Sequence, residues 1–415
     1  MKFTEMEGFR YVDGGVCAAA GFSANGLRCG INDDPKKNDL GLVFSDREAS
    51  AAAVYTKNKV KGAPLRVTAD HLEKSGGVAR AVVMNSKNAN TCLPDGVEKA
   101  ELMTSYAADA LGIPKEQVLV ASTGVIGMPF DVSPVERSMK ELVSGLSPER
   151  HLEAEKAVMT TDTMPKESAV CFEFGEREYH LGGMAKGSGM IRPDMATTLS
   201  FITTDMNVSP EALHSALITN VEKTYNCLSV DGDMSTNDMI VLMANGASGG
   251  DRIEGPDSPG YDELEKALYL VMESLVRMLA RDGEGATKLL ECHVTGADSV
   301  SDASVVAKSV ITSNLVKCAM FGEDANWGRI LCAIRYSETD IDIAKVDVDI
   351  ASEHGRVEVC RNGAGIAFSE EKAKEVLSSD EILIDVNLNS GKEKGRAFGC
   401  DLSYDYVKIN GDYRS

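Results

Sequence analysis

The run Gly182-Gly-Met-Ala-Lys186-Gly-Ser-Gly-Met-Ile-Arg-Pro193-Asp-Met-Ala196-Thr197-Thr198-Leu199 sets an Ala-Thr bond in mid-chain, directly after a glycine-rich stretch. Beyond that bond, Thr197-Thr-Leu-Ser-Phe-Ile-Thr-Thr204 is β-branched and apolar, the pattern of a central strand. A strand that begins with its reactive hydroxyl presents it rigidly at a sheet end. Threonine is a poor nucleophile at neutral pH unless a base lies beside it, and breaking the bond before Thr197 would free the α-amine of that same residue for the role. An unperturbed α-amine, with a pKa of ~8, is poised to move protons near neutrality. Thr198 offers a second hydroxyl at the same place.

The stretch is not a phosphate cradle. A P-loop needs Gly-Lys followed by Ser or Thr, and here the order is Lys186-Gly187-Ser188, with the lysine on the wrong side. On pattern alone Gly182 to Gly189 reads as a loop after a strand at Tyr179-His-Leu181. Ser122-Thr123-Gly124-Val-Ile-Gly127 follows Val118-Leu-Val120, and reads equally as a strand-to-loop turn or as a hydroxyl and glycine backbone able to approach a developing oxyanion. Asp231, Asp233 and Asp238 lack the spacing and closing Glu of a calcium loop and read as turn and capping residues. Trp327, the only tryptophan, sits in Asn326-Trp-Gly-Arg329 and reads as a packing or interface element.

The chain has 43 basic and 64 acidic residues, a net charge of −21, which argues against nucleic acid and anionic membranes as partners. An anionic substrate would need a local basic pocket. The start, Met1-Lys-Phe-Thr-Glu5, carries no apolar signal segment, and no apolar run approaches the ~18 residues of a spanning helix, so a cytoplasmic location is expected. Ten cysteines lie singly with no Cys-x-x-Cys, which fits reduced thiols and no metal site.

Strand-like and helix-like segments alternate without a fixed repeat. Asp262 to Leu279 places apolar residues three and four apart, predicting a long helix with one buried face. Ser209-Pro210 opens a second helix to about Thr224, and a third runs from Asp302 toward Leu315. Strands are predicted at Gly355–Cys360, at Glu381–Leu388, and at the C-terminus, where Phe398, Cys400, Leu402, Tyr404 and Tyr406 alternate; these look like an antiparallel set. The mixture predicts a layered α+β architecture.

Gly187-Ser-Gly-Met-Ile-x-Pro-x-Met-Ala-Thr197 resembles the junction of the ornithine acetyltransferase (glutamate N-acetyltransferase) family. The resemblance continues through Gly21-Phe-Ser-Ala-Asn-Gly-Leu-Arg-Cys-Gly30, Asn85-Ser-Lys-Asn-Ala-Asn90, Ser122–Gly127 and Thr160-Thr-Asp-Thr-Met-Pro-Lys166. It resumes in Ser229–Asp238, Asp282-Gly-Glu-Gly-Ala-Thr-Lys288, Gly322–Arg329 and Tyr406–Ser415, so it covers essentially the whole chain in order. Departures from the commonest family pattern are Lys87 for Gly, Asp194 for Asn, Thr198 for Met and Met234 for Thr; none removes the junction.

The resemblance implies stacked sheets flanked by helices, similar to N-terminal-nucleophile hydrolases, with smaller lobes attached. It implies self-cleavage between Ala196 and Thr197, giving an α chain 1–196 and a β chain 197–415 that stay together, with paired αβ units forming an oligomer. Thr197 would be the nucleophile, and Thr123 with Gly124 would hold the oxyanion. Thr163, Lys186, Thr197, Glu284, Asn410 and Ser415 would contact substrate. The implied reaction moves an acetyl group from N2-acetylornithine to glutamate in arginine biosynthesis, with no metal or bound cofactor; some family members also take acetyl-CoA as donor. Two other readings stay open: a threonine-nucleophile amidase or aminopeptidase with water as acceptor, and a binding or scaffold protein that kept only the fold.

Overall fold

A computed structural model of the chain describes residues 3–192 and 198–412; Asp194, Ala196, Thr197 and Ser415 lie outside the described residues. Strands β1 (Phe9–Val12), β2 (Phe22–Leu27), β3 (Leu40–Tyr55), β4 (Val78–Asn85), β5 (Val118–Ser122), β6 (Glu167–Phe174), β7 (Arg177–Lys186), β8 (Leu199–Thr204) and β9 (Met239–Ala244) form one hydrogen-bonded path. Its order is β1-β6-β7-β8-β9-β3-β4-β5, with β2 added along β3.

Alternation along these strands shows how the path is stacked. On β9, Met239, Val241 and Met243 share a buried cluster with Val82 and Met84 of β4 and Leu119 and Ala121 of β5. The intervening Ile240, Leu242 and Ala244 point the other way, into a helical layer. The two halves therefore lie face to face, joined by β3, whose early residues pair with β2 and β4 and whose later residues pair with β9. A register shift between Phe44 and Ala49 falls at the changeover, where an irregularity lets a strand bend.

Helices cover both outer faces. On one side α1 (Ala63–Ser75), α2 (Gly96–Leu111) and α3 (Ser133–Ser144) pack on β3, β4 and β5 through Val67, Met103, Met139 and Leu142. The short α4 (His151–Val158) contributes Ala154 and Val158 to the inter-sheet cluster. On the far side lie α5 (Pro210–Lys223) and α6 (Tyr261–Arg281), against β6 to β9. The result is a helix–sheet–sheet–helix stack, the layered arrangement expected from the sequence.

A second lobe carries β10 (Leu289–Ala297), β11 (Asp347–Ser352), β12 (Gly355–Arg361), β13 (Ala364–Gly365), β14 (Glu381–Asn387) and β15 (Glu393–Cys400) in the order β13-β12-β11-β14-β10-β15. Helices α7 (Val300–Thr312), α8 (Asn314–Phe321), α9 (Trp327–Arg335) and α10 (Glu370–Leu377) close its core. Leu289, Phe398 and Cys400 reach past that core to join the cluster around α6, so α6 packs against both lobes. Its buried side chains extend well beyond the single face predicted for it, for this reason.

Four expectations need correction. The C-terminal strand ends at Cys400; Ser403 then caps α11 (Tyr404–Gly411), its hydroxyl accepting from the Asp405 N–H, so Tyr404 and Tyr406 are helical. Alternation there was incidental, since Tyr404 and Val407 lie exposed on the outer face of α11. The third predicted helix breaks at Ser313, whose hydroxyl caps α8 through the Val316 N–H. The second sheet is mixed, because β10 pairs parallel with β14. Finally, Gly182 and Gly183 belong to β7 rather than to a loop. A Cβ on Gly182 would sit 2.0 Å from the Gly15 carbonyl oxygen, so glycine serves close packing there, not flexibility. Trp327 packs at the edge of the second lobe against Gly365, in line with its packing role.

Candidate functional site

Lys186, the last residue of β7, and Thr198, the residue before β8, stand together where the two strands meet at one end of the sheet. A cavity of about 270 Å³ opens there. Thr123, Gly124, Lys186, Glu284 and Asn410, five of the residues singled out in the sequence, all line it. Thr198, which follows the Ala196–Thr197 bond in sequence, lies on its wall.

Thr123 and Gly124 leave the end of β5 in a conformation set by neighbouring backbone. The Thr123 N–H donates to the Asn85 carbonyl and the Val125 N–H to the Lys87 carbonyl, while the Gly124 N–H has no backbone acceptor among the described residues. Gly124 adopts φ +130°, and a Cβ would fall 2.2 Å from the Lys87 carbonyl carbon, so no other residue fits. Buried amides brace this turn. Asn88 Nδ2 donates to the Met128 and Pro129 carbonyls, and Asn237 Nδ2 donates to the Ala89 and Ser122 carbonyls.

Lys186 is 9% exposed, and its Nζ lies 3.4 Å from Thr123 Oγ1 and 4.0 Å from Asp162 Oδ2. Asp162 is itself fully engaged. Its Oδ1 accepts from the Gly187 N–H at 2.6 Å and from Lys166 Nζ at 2.8 Å, and its Oδ2 accepts from the Thr160 N–H at 3.0 Å. Burial pushes the Asp162 carboxyl up, but Lys186 and Lys166 more than reverse this and hold it well below the usual carboxylate range. Lys166, wholly buried, also bonds Asp282 Oδ2 at 2.5 Å.

Glu284 forms another part of the wall. Its N–H donates to the Ser188 carbonyl at 2.7 Å, and its Oε2 accepts from Asn410 Nδ2 at 2.8 Å. A Cβ on Gly189 would lie 2.3 Å from that carboxylate oxygen, so the glycine-rich segment makes room for Glu284. Thr163 is not part of this wall. Its N–H and hydroxyl both donate to Asp282, and it faces an adjacent groove, while Thr160 and Thr161 reach the cavity instead.

Sequence reasoning missed one feature and read another only as a turn and capping residue near the active site. One is the buried Asp162–Lys166–Asp282 cluster: the four-residue spacing of Asp162 and Lys166 was visible, but nothing local marked Asp282, 116 positions away from Lys166. The other is Asp238. It is 4% exposed, lines the cavity, and its Oδ2 has no hydrogen-bond partner among the described residues; Thr198 Oγ1 shares that condition. The Met239 N–H donates to the Thr198 carbonyl at 2.9 Å, which sets Asp238 beside Thr198 on the neighbouring strand. Burial pushes the Asp238 carboxyl far above its ordinary value, against the pull of Ser235 and Lys186. Among the described residues the cavity thus offers one cation, one carboxylate held by an amide, and two buried oxygens without hydrogen-bond partners.

A second buried acid behaves oppositely to Asp162. Glu155 of α4 accepts the Lys166 N–H through Oε1 while its Oε2 has no partner among the described residues, and burial raises its carboxyl to about 8. A carboxyl raised in the folded state stabilises fully below its unfolded pKa of about 4.3, and that contribution falls away as pH rises toward 8. Glu155→Gln is expected to flatten the decline in stability between those limits, read as urea midpoints across pH; an unchanged slope would show that Glu155 does not titrate there.

Among the described residues no helix is long and apolar enough to cross a membrane, and none of the ten cysteines is in a disulfide. The family model named ArgJ family matches residues 23–415. The chain is 49% identical over 395 residues to the arginine biosynthesis bifunctional protein ArgJ 1 of Clostridium acetobutylicum, covering 95% of this chain and 96% of that one. It is 46% identical over 405 residues to the arginine biosynthesis bifunctional protein ArgJ of Caldanaerobacter subterraneus subsp. tengcongensis, covering 97% and 99%. A crystal structure of the ArgJ protein from Bacillus halodurans, 44% identical, aligns over 51% of this chain and 97% of its own with a TM-score of 0.49. With the match running through nearly the whole sequence, the chain belongs to the ArgJ family and is an acetyltransferase of arginine biosynthesis.

Proposed function

We propose that the protein cuts itself between Ala196 and Thr197 and then carries an acetyl group from N2-acetylornithine to glutamate on the Thr197 hydroxyl. In the first step the Thr197 oxygen attacks the Ala196 carbonyl carbon. The C–N bond breaks and the nitrogen takes up the hydroxyl proton, leaving an ester. Water hydrolyses the ester, giving a carboxylate on chain 1–196 and a free amine and hydroxyl at the head of chain 197–415.

Transfer reuses these groups. The Thr197 hydroxyl attacks the acetyl carbonyl, its own amine takes the proton and delivers it to the departing ornithine nitrogen, and glutamate then attacks the acetyl-threonine ester to leave as N-acetylglutamate. Thr123 and the Gly124 N–H face the oxyanion in each tetrahedral intermediate. Lys186 pairs with the α-carboxylate that donor and acceptor share, and Glu284, held by Asn410, meets the substrate ammonium. No step needs a metal or bound cofactor. Acetyl-CoA, which some members of the family take as donor, would load the same threonine.

The observation that carries this reading is the convergence of Thr123, Gly124, Lys186, Glu284 and Asn410 on one cavity whose wall continues into Thr198. Intact mass of freshly purified protein, with N-terminal sequencing, is expected to show two chains, the second beginning at Thr197. Product analysis should then show N-acetylglutamate only when glutamate is added; acetate in its place would favour an amidase with water as acceptor. A single uncut chain with no transfer would refute the proposal.

A further inference from the structure

Helix α11 is tied to the segment ahead of the Ala196–Thr197 bond through two residues, Asp231 and Glu284. Tyr406 and Asn410 stand one turn apart on its inner face. The Tyr406 hydroxyl donates to Asp231 Oδ2 at 3.3 Å, and that same carboxylate accepts the Met190 N–H at 2.7 Å and the Ile191 N–H at 3.0 Å. Asn410 binds Glu284, whose own N–H holds the Ser188 carbonyl. Both ends of the stretch 188–191 are thus held by a residue that α11 also touches, the 190–191 end by the Asp231 carboxylate and Ser188 by the Glu284 backbone N–H.

The grip is tight. The Ile191 carbonyl accepts from the Val230 N–H at 3.0 Å, the Gly232 N–H at 3.3 Å and the Ser229 hydroxyl at 3.4 Å. Met190 takes φ +57°, a left-handed conformation that non-glycine residues disfavour, and the two N–H bonds to Asp231 hold it there. Gly285 brings α11 close, since a Cβ at that position would lie 2.5 Å from the Tyr406 nitrogen. Tyr406 bonds across 175 positions of sequence, so this arrangement exists only after α11 has docked.

We propose that Asp231 and Tyr406 are positioning residues for self-cleavage, which makes cutting wait until α11 has docked on the 188–191 segment. The inference rests on the cleavage reading above. Without the clamp, the chain entering residue 193 is free to leave the geometry in which the Thr197 oxygen meets the Ala196 carbonyl, and a small misplacement of reacting atoms slows such a step steeply. Once the bond is cut, that constraint on chain entry is no longer needed for transfer.

The test follows cutting of the full chain made by cell-free synthesis, with the uncut fraction read by intact mass over time. Tyr406→Phe is expected to cut roughly tenfold more slowly than wild type, and Asp231→Ala roughly a hundredfold, given the usual worth of hydrogen bonds to a charged group. Val407→Ala, on the exposed face of the same helix, should cut like wild type. Matured Tyr406→Phe should show wild-type kcat and KM, which a general weakening of the fold would not allow. Cutting of Tyr406→Phe at the wild-type rate, or equal slowing of Val407→Ala, would overturn the clamp. A wild-type chain that stays uncut would instead refute the cleavage reading itself, and this inference with it.

Discussion

Thr197→Ala is expected to remain one uncut chain and to lose acetyl transfer by on the order of 10⁴-fold or more, the scale seen when a catalytic nucleophile is removed. Both losses follow from one oxygen. Without it nothing attacks the Ala196 carbonyl, so no α-amine is released to act as base, and no ester can carry the acetyl group. Thr198→Ala is the informative partner. The Thr198 hydroxyl also borders the cavity and has no partner among the described residues, so it is a genuine rival on position. Removing it should leave cutting at Thr197 intact. If Thr197→Ala still yields two chains, or if Thr198→Ala is the variant that stays whole, the nucleophile has been assigned to the wrong residue.

Lys166→Met is expected to cost about 3–5 kcal/mol of stability, the range for breaking a buried ion pair by removing one partner. The lysine is fully buried between Asp162 and Asp282, so its loss strands two carboxylates away from water. Those carboxylates also hold the site: Asp162 takes the Gly187 N–H, and Asp282 takes the Thr163 N–H and hydroxyl. Self-cleavage should therefore slow in the same variant. The pH dependence supplies a sign check. Asp162 is depressed when folded, so its contribution is present above its unfolded pKa of about 3.9 and disappears as pH falls. Wild type should lose stability in acid more steeply than Lys166→Met. Adding Asp282→Asn to Lys166→Met should recover part of the loss, because one stranded charge is then gone. Urea midpoints for the three proteins decide this, and an unaltered midpoint for Lys166→Met would mean that the cluster contributes nothing to the fold.

These predictions draw unequally on what was legible beforehand. The strand beginning near Thr197, the helices at Pro210–Lys223 and Tyr261–Arg281, and the layered class all followed from periodicity and caps, which are local properties. The junction motif and its companion blocks pointed to Thr123, Gly124, Lys186, Glu284 and Asn410, and these do converge. Local pattern misled where tertiary contacts outweighed it. Gly182 and Gly183 resembled a flexible loop, yet they lie in β7 because neighbouring backbone leaves no room for a side chain. Tyr404 and Tyr406 alternated like a strand, yet Ser403 starts a helix there.

The sequence by itself determined the class of fold, the family, and which residue types carry the chemistry, since each is written in short spans of hydrophobic rhythm and motif. Only the tertiary structure decided that Lys166 would sit between Asp162 and Asp282, that Asp238 would face the cavity with one oxygen lacking a partner among the described residues, and that α11 would reach back to Asp231 and Glu284. Each of these is a charge or hydrogen bond between residues distant in the chain. Their strength depends on burial and on distances of a few ångströms, which no local pattern encodes and which exist only once the layers have packed.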